Sequence, residues 1–158
     1  MKELKLANPS TVPRIALVAA RFNHFITEQL VEGARDALDR HGLSGEQVVL
    51  AWVPGAYELP LAADWMLSDG GCDAVVALGA VIRGGTPHFD YVAGECSRGL
   101  AEVALKHSMP VAFGVLTTDT VEQALERAST AEGNKGFDAA MTALNMLALR
   151  ERIGPDGG

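Results

Sequence analysis

Four short runs of the chain, residues 14–20, 47–53, 73–82 and 110–116, are apolar at nearly every position. A strand with one wet face alternates apolar and polar residues, so runs without alternation are covered on both faces, as in a parallel sheet between helices. Between the runs the apolar spacing changes to three and four. Ile26, Leu30, Ala34, Ala37 and Leu38 predict a helix over 26–40, and Gly42 just beyond it is the stop signal. The same spacing predicts helices over 59–67 and 91–106. Thr120, Val121, Glu122 and Gln123 read as a capping box: the Thr120 hydroxyl takes an orphan N–H and the Gln123 side chain reaches back. That helix ends near Ala128, a polar stretch follows over 129–135, and a last helix over 136–152 is carried by Ala139, Ala140, Leu144, Leu147 and Leu149.

Strand and helix alternate four times before the final helix. Right-handed crossovers then give an α/β fold, a three-layer α/β/α sandwich on a four-stranded parallel sheet; the expected architecture is flavodoxin-like, with 2-1-3-4 chosen as its strand order. At 158 residues the chain is read as one domain, with an N-terminal arm over 1–13 and a frayed tail over 154–158. In such sheets ligands gather at the carboxyl ends of the strands. Four loops lie there: residues 21–24, 54–58, 83–90 and 117–119.

Charge and cysteine content narrow the chemistry. Thirteen Lys and Arg against twenty Asp and Glu give −7, which disfavours nucleic acid and anionic membranes as partners. Cys72 and Cys96 stand 24 positions apart with no metal-ligand spacing, and read as buried thiols of a reducing compartment. No run approaches the ~20 apolar residues of a membrane span, and the N-terminus makes a poor secretory signal. A cytoplasmic location, no metal and no cofactor are the expectations.

In the third loop, Gly84, Gly85 and Thr86 put bare N–H groups and a hydroxyl ahead of a helix N-terminus, where an anion is favoured. The plainer reading of two adjacent glycines is turn geometry. His88 follows with an imidazole suited to proton transfer, against the alternative of an ordinary loop histidine. Phe22 is either a stacking platform or a ring folded back on the core. Phe113, inside the fourth run, reads as core by position. Arg127 and Lys135 flank the joint between the last helices and read as a solvated face unless a phosphate approaches. His41 and His107 lie at helix ends, where a cation meets the negative dipole end, and read as structural. His24 stays open.

Arg21-Phe22-Asn23, the stretch Val53 to Pro60, the stretch Gly79 to Tyr91, the stretch Phe113 to Thr120, the helix around Arg127, and Gly133-Asn134-Lys135-Gly136 together resemble the 6,7-dimethyl-8-ribityllumazine synthase family, in order and with its spacing over about residues 14–150. The resemblance implies condensation of 5-amino-6-(D-ribitylamino)uracil with 3,4-dihydroxy-2-butanone 4-phosphate in riboflavin biosynthesis. It implies that Phe22 stacks on the pyrimidine while Ala80, Val81 and Ile82 hold its edge. Asn23, Ala56, Tyr57 and Glu58 would line the ribityl pocket, Gly85 and Thr86 cradle the phosphate, Arg127 clamp it, and His88 move protons. Phe113, Arg127 and Lys135 would come from the neighbouring chain of a pentamer, which in some members packs into a sixty-subunit shell. Association with riboflavin synthase is a further implied partnership. The arm, where Leu4 and Leu6 alternate with charges, would add a strand to a neighbour's sheet, limited by Pro9 and Pro13. The joint over 129–135 has no insertion, although Ser129 stands where the family has glycine, and this favours the shell. An archaeal-type riboflavin synthase and a non-catalytic flavin- or lumazine-binding shell protein are the rival readings. A response regulator is excluded, because the first strand ends in Ala20, Arg21 and Phe22 rather than an acidic pair.

Overall fold

The computed structural model describes residues 1–129 and 133–154. Its elements are β1 (Ile15–Ala20), α1 (His24–Arg40), β2 (Val48–Val53), α2 (Leu59–Ser68), β3 (Ala74–Ile82), α3 (His88–His107), β4 (Val111–Thr118), α4 (Val121–Arg127) and α5 (Lys135–Ile153). Short 3-10 turns at Gly45–Gln47 and Ala56–Glu58 precede β2 and α2, and the apolar pattern had marked neither. The sheet is parallel in the expected order, β2-β1-β3-β4.

β1 is buried at all six positions. Its alternate residues feed two cores: Ile15, Leu17 and Ala19 face α1 and α5, whereas Ala16, Val18 and Ala20 face α2 and α3. Each large apolar side chain buried there contributes about 1.5–3 kcal/mol. Full cover on both faces does not extend to the edges. β2 is only half-buried throughout. In β4, Phe113 is 48% exposed, which corrects the core reading of that residue. An edge strand has one neighbour instead of two. Phe113 points to the α2–α3 side, where α3 presents the small residues Ala93, Gly94 and Ser97 beside it.

Thr117 and Thr118 belong to β4 rather than to a loop, because they continue the ladder opposite Val81 and Ile82. α3 starts at His88, three residues before the predicted start. Gly42 does end α1: at φ +79° it allows the Leu43 N–H to reach the Leu38 carbonyl at 2.9 Å and its own N–H to reach Asp39 at 3.1 Å. Thr120 caps α4 by accepting the Gln123 N–H at 3.1 Å. The Gln123 side chain accepts from the Asp119 N–H, one residue earlier than a capping box requires.

The arm forms no strand within the described chain. It lies along α5: Asn145 donates to the Ala7 carbonyl at 2.8 Å, and the Ser10 and Thr11 hydroxyls donate to Glu151. Residues 130–132 of the last joint and 155–158 of the tail fall outside the described residues. Among the described residues no helix is long and apolar enough to cross a membrane.

Candidate functional site

The carboxyl ends of the four strands carry the chemistry-bearing loops, as parallel topology requires. The β1–α1 turn is tight. Arg21 and Phe22 donate their N–H groups to the Val53 and Pro54 carbonyls at 2.7 and 3.0 Å, and Asn23 adopts the left-handed conformation at φ +61°. Asparagine tolerates this strain, and its Nδ2 donates across to the Ala80 carbonyl at 3.0 Å, which fixes the turn onto β3. The result projects Phe22 outward. It is 72% exposed, so it is not folded back on the core.

A cavity of about 660 Å³ opens beside it, lined by Phe22, Ala56, Tyr57, Glu58, Val81, Ile82, Thr86 and His88 among others. Asn23, Ala80 and Gly85 lie outside that lining; the Asn23 carboxamide and the Ala80 carbonyl are engaged with each other. The sequence reading missed Phe89, Tyr91 and Val92, which also line the cavity. Their signal was available: positions 88, 89, 91 and 92 recur at helical spacing, and the first turn of α3 turns that face to the loops.

Neither Gly84 nor Gly85 has positive φ, so the bend between β3 and α3 does not itself require glycine. A side chain added at either would meet nothing within 4 Å. What they leave is open space and accessible backbone ahead of α3, the setting that favours an anion. The Thr86 hydroxyl accepts the His88 N–H at 3.4 Å. Arg83 ties this loop to the next one: its Nε lies 2.9 Å from Asp119, its guanidinium stacks 4.5 Å from the Phe89 ring centre, and its backbone N–H bonds Thr118 at 2.8 Å.

Phe113 and Arg127 do not reach the first cavity. They line a second, of about 620 Å³, with Arg83, Asp90, Asp119 and Gln123. Lys135, the first residue of α5, is exposed 3.8 Å from Asp138 and lines neither cavity. Within one chain, then, the aromatic wall with its imidazole stands apart from Arg127 and Lys135.

The remaining singled-out side chains, His24 apart, make structural contacts. Nδ1 of His41 lies 2.7 Å from the Ala37 carbonyl. Nε2 of His107 lies 2.6 Å from the Asp64 carboxylate, which also receives Lys106 at 3.1 Å. Ser68 approaches the same His107 nitrogen at 3.5 Å, so no hydroxyl–imidazole–carboxylate relay exists there. The His107 bond, followed by Lys106, holds the Asp64 carboxyl below its ordinary range. Cys72 and Cys96 are buried free thiols, and burial pushes Cys96 up to about 11. His24 is exposed at the start of α1, edge-on to Phe25.

The family model described as 6,7-dimethyl-8-ribityllumazine synthase matches residues 12–151. The chain belongs to this family. A curated relative named 6,7-dimethyl-8-ribityllumazine synthase, from Edwardsiella ictaluri (strain 93-146), is 56% identical over 154 residues, which cover 97% of this chain and 99% of the relative. The lumazine synthase family match spans all four strand-end loops and both cavities, leaving only residues 1–11 and 152–158 outside.

Proposed function

We propose that this chain condenses 5-amino-6-(D-ribitylamino)uracil with 3,4-dihydroxy-2-butanone 4-phosphate to 6,7-dimethyl-8-ribityllumazine, phosphate and water, a transferase step of riboflavin biosynthesis. The observation that carries the reading is membership of the lumazine synthase family across residues 12–151. The two unlike cavities support it, since the reaction joins a flat ring to a phosphate ester.

In this reading the exposed Phe22 ring stacks on the pyrimidine and the Val81–Ile82 strand end holds its edge, with Ala80 behind. Asn23, Ala56, Tyr57 and Glu58 bound the ribityl chain, where the Glu58 carboxylate accepts hydrogen bonds from hydroxyls. Gly85 and Thr86 cradle the phosphate ahead of α3. Arg127 supplies a planar fork to the phosphate oxygens and Lys135 a point charge. Because Phe113 and Arg127 stand in a cavity of their own, they serve the aromatic wall of a neighbouring chain, and a closed ring such as a pentamer gives every site both halves. The sheet's two edges and the arm are suited to that association, and a sixty-subunit shell and a complex with riboflavin synthase are its further extensions. The setting is cytoplasmic.

The chemistry begins with attack of the 5-amino group on the ketone carbon, which loses water to form an imine. Loss of the C3 proton then expels phosphate from C4 and leaves an enol that becomes a ketone. The ribitylamino nitrogen attacks this ketone and loses a second water to close the ring. His88 takes and returns the protons of these steps. Most of the acceleration is proximity, which supplies about 7–11 kcal/mol in favourable cases.

The test is to mix the purified full chain with both substrates and follow lumazine formation against a protein-free control, since the condensation also proceeds unaided. Saturable acceleration is expected. A rate equal to the control from folded, associated protein would leave only binding or shell formation.

A further inference from the structure

Asn134 is the N-cap of α5 and one of few polar side chains buried in the core, at 5% exposure. Its Oδ1 accepts the Phe137 N–H at 3.0 Å, the ordinary bond of a cap. Its Nδ2 does something a cap does not need: it donates to the Ala128 carbonyl at 2.8 Å, just past α4, and to the Gln29 carbonyl of α1 at 2.9 Å. Both amide hydrogens are used, and the opposite amide orientation would aim the oxygen at two carbonyls. Serine, threonine or aspartate would cap α5 equally well. Only asparagine supplies one acceptor and two donors within so short a side chain.

The packing leaves this carboxamide one place to be. A methyl group added to Gly33 of α1 would overlap it, and one added to Gly136 would overlap the Leu30 carbonyl. Each anchor point also stands beside an exposed cation. Buried Ala128 follows exposed Arg127, and buried Asn134 precedes exposed Lys135. One amide thus ties the chain immediately after Arg127 to the chain immediately before Lys135, and both to α1.

We propose that Asn134 is a positioning residue for phosphate recognition: it sets the spacing and direction of Arg127 and Lys135, and through them the affinity for the phosphate ester. The inference rests on the reading of Arg127 and Lys135 as the phosphate-binding cations. Displacing groups that hold a substrate by an ångström costs up to about a hundredfold.

Asn134→Ser keeps a cap acceptor for Phe137 and removes both bonds to carbonyls. In the full-length, associated protein the KM for the butanone phosphate is expected to rise about tenfold or more, and inhibition by inorganic phosphate to weaken in parallel. The KM for the pyrimidine should stay within about twofold, a split that general destabilisation does not produce. In an Arg127→Ala, Lys135→Ala background the same substitution should add nothing to the phosphate KM. An unchanged phosphate KM in folded Asn134→Ser, an equal rise for both substrates, or a full additional rise in that background overturns the positioning role alone. If the double alanine variant itself leaves the phosphate KM unchanged, the cation reading falls and takes this inference with it. Should Asn134→Ser not fold, the unsubstituted protein decides: saturating inorganic phosphate is expected to slow hydrogen exchange of the Phe137 amide, and unchanged exchange overturns the coupling.

Discussion

The cavity bounded by Phe22 and His88 is walled by aromatic and aliphatic carbon, with Glu58 as its carboxylate, whereas the one bounded by Phe113 and Arg127 holds two arginines, two aspartates and two threonine hydroxyls. They open at the same edge of one sheet and differ in volume by little. The contrast follows from the strands beneath them. The first lies over β1 and β3, where neighbours on both sides bury the backbone and leave aromatic side chains to form the rim. The second lies over β4, an edge with no strand beyond it, where polar side chains remain wet. The first cavity suits a stacked ring and the second a charged group, and within one chain the Phe89 ring borders both.

The sharpest way to break the comparison is to remove the cation of the polar cavity. Arg127→Ala should raise the KM for the phosphate substrate by about 10- to 150-fold, the loss of a charge-assisted bond of about 1.5–3 kcal/mol, with the pyrimidine KM nearly constant. Steady-state kinetics with each substrate varied in turn checks this, and an unaltered phosphate KM would remove the residue from the phosphate. Co-assembling Arg127→Ala with a chain carrying Phe22→Ala and His88→Ala should then restore sites with both halves intact. A mixture no faster than the sum of its parts would place the two cavities in separate sites.

In the aromatic cavity, His88→Ala should slow turnover by about 10²-fold or less while leaving measurable catalysis, because proximity carries more of the barrier than proton transfer does. Complete loss with unchanged substrate binding, read from single-turnover traces, would reverse that weighting. Phe22→Ala is smaller. Loss of a stacking partner worth about 0.5–1.5 kcal/mol should weaken the pyrimidine about two- to tenfold and leave the phosphate KM alone. A change in the phosphate KM instead would mean that the division between the cavities is wrong.

The smallest effect lies away from both cavities. Asp64 is held below its ordinary range chiefly by His107 and next by Lys106, so its ionised form favours the folded state. That contribution is complete above the ordinary Asp range and disappears as pH falls through the lowered native value. Melting of Asp64→Asn and the unsubstituted chain across pH should show a gap that is present near neutrality and closes below about pH 4. A gap that widens on acidification would contradict the bond as the cause. Activity at neutral pH should be unaffected.

Much of this was legible in the chain itself. Unbroken apolar runs separated by helical spacing are a local code for buried parallel strands and their crossovers, and the strand order chosen for them, 2-1-3-4, is the one observed. Gly42 and Thr120 announced their helix ends because capping is settled within a few residues. The strand-end loops drew attention to Phe22, Glu58 and His88, and these three share a cavity.

What the sequence determined by itself is therefore everything that depends on near neighbours: element type, element order, and which loops share an edge. The tertiary structure decided what depends on who stands opposite. Phe113 looks like core in a run of apolar residues, and its exposure follows from β4 being an edge over small residues of α3. Thr117 and Thr118 became strand because β3 extends far enough to pair with them. The bond from Asn134 to Gln29 joins groups 105 positions apart, and no periodicity encodes it. Burial fixes such a partner, since a polar group taken from water must find its hydrogen bonds wherever folding has brought a carbonyl.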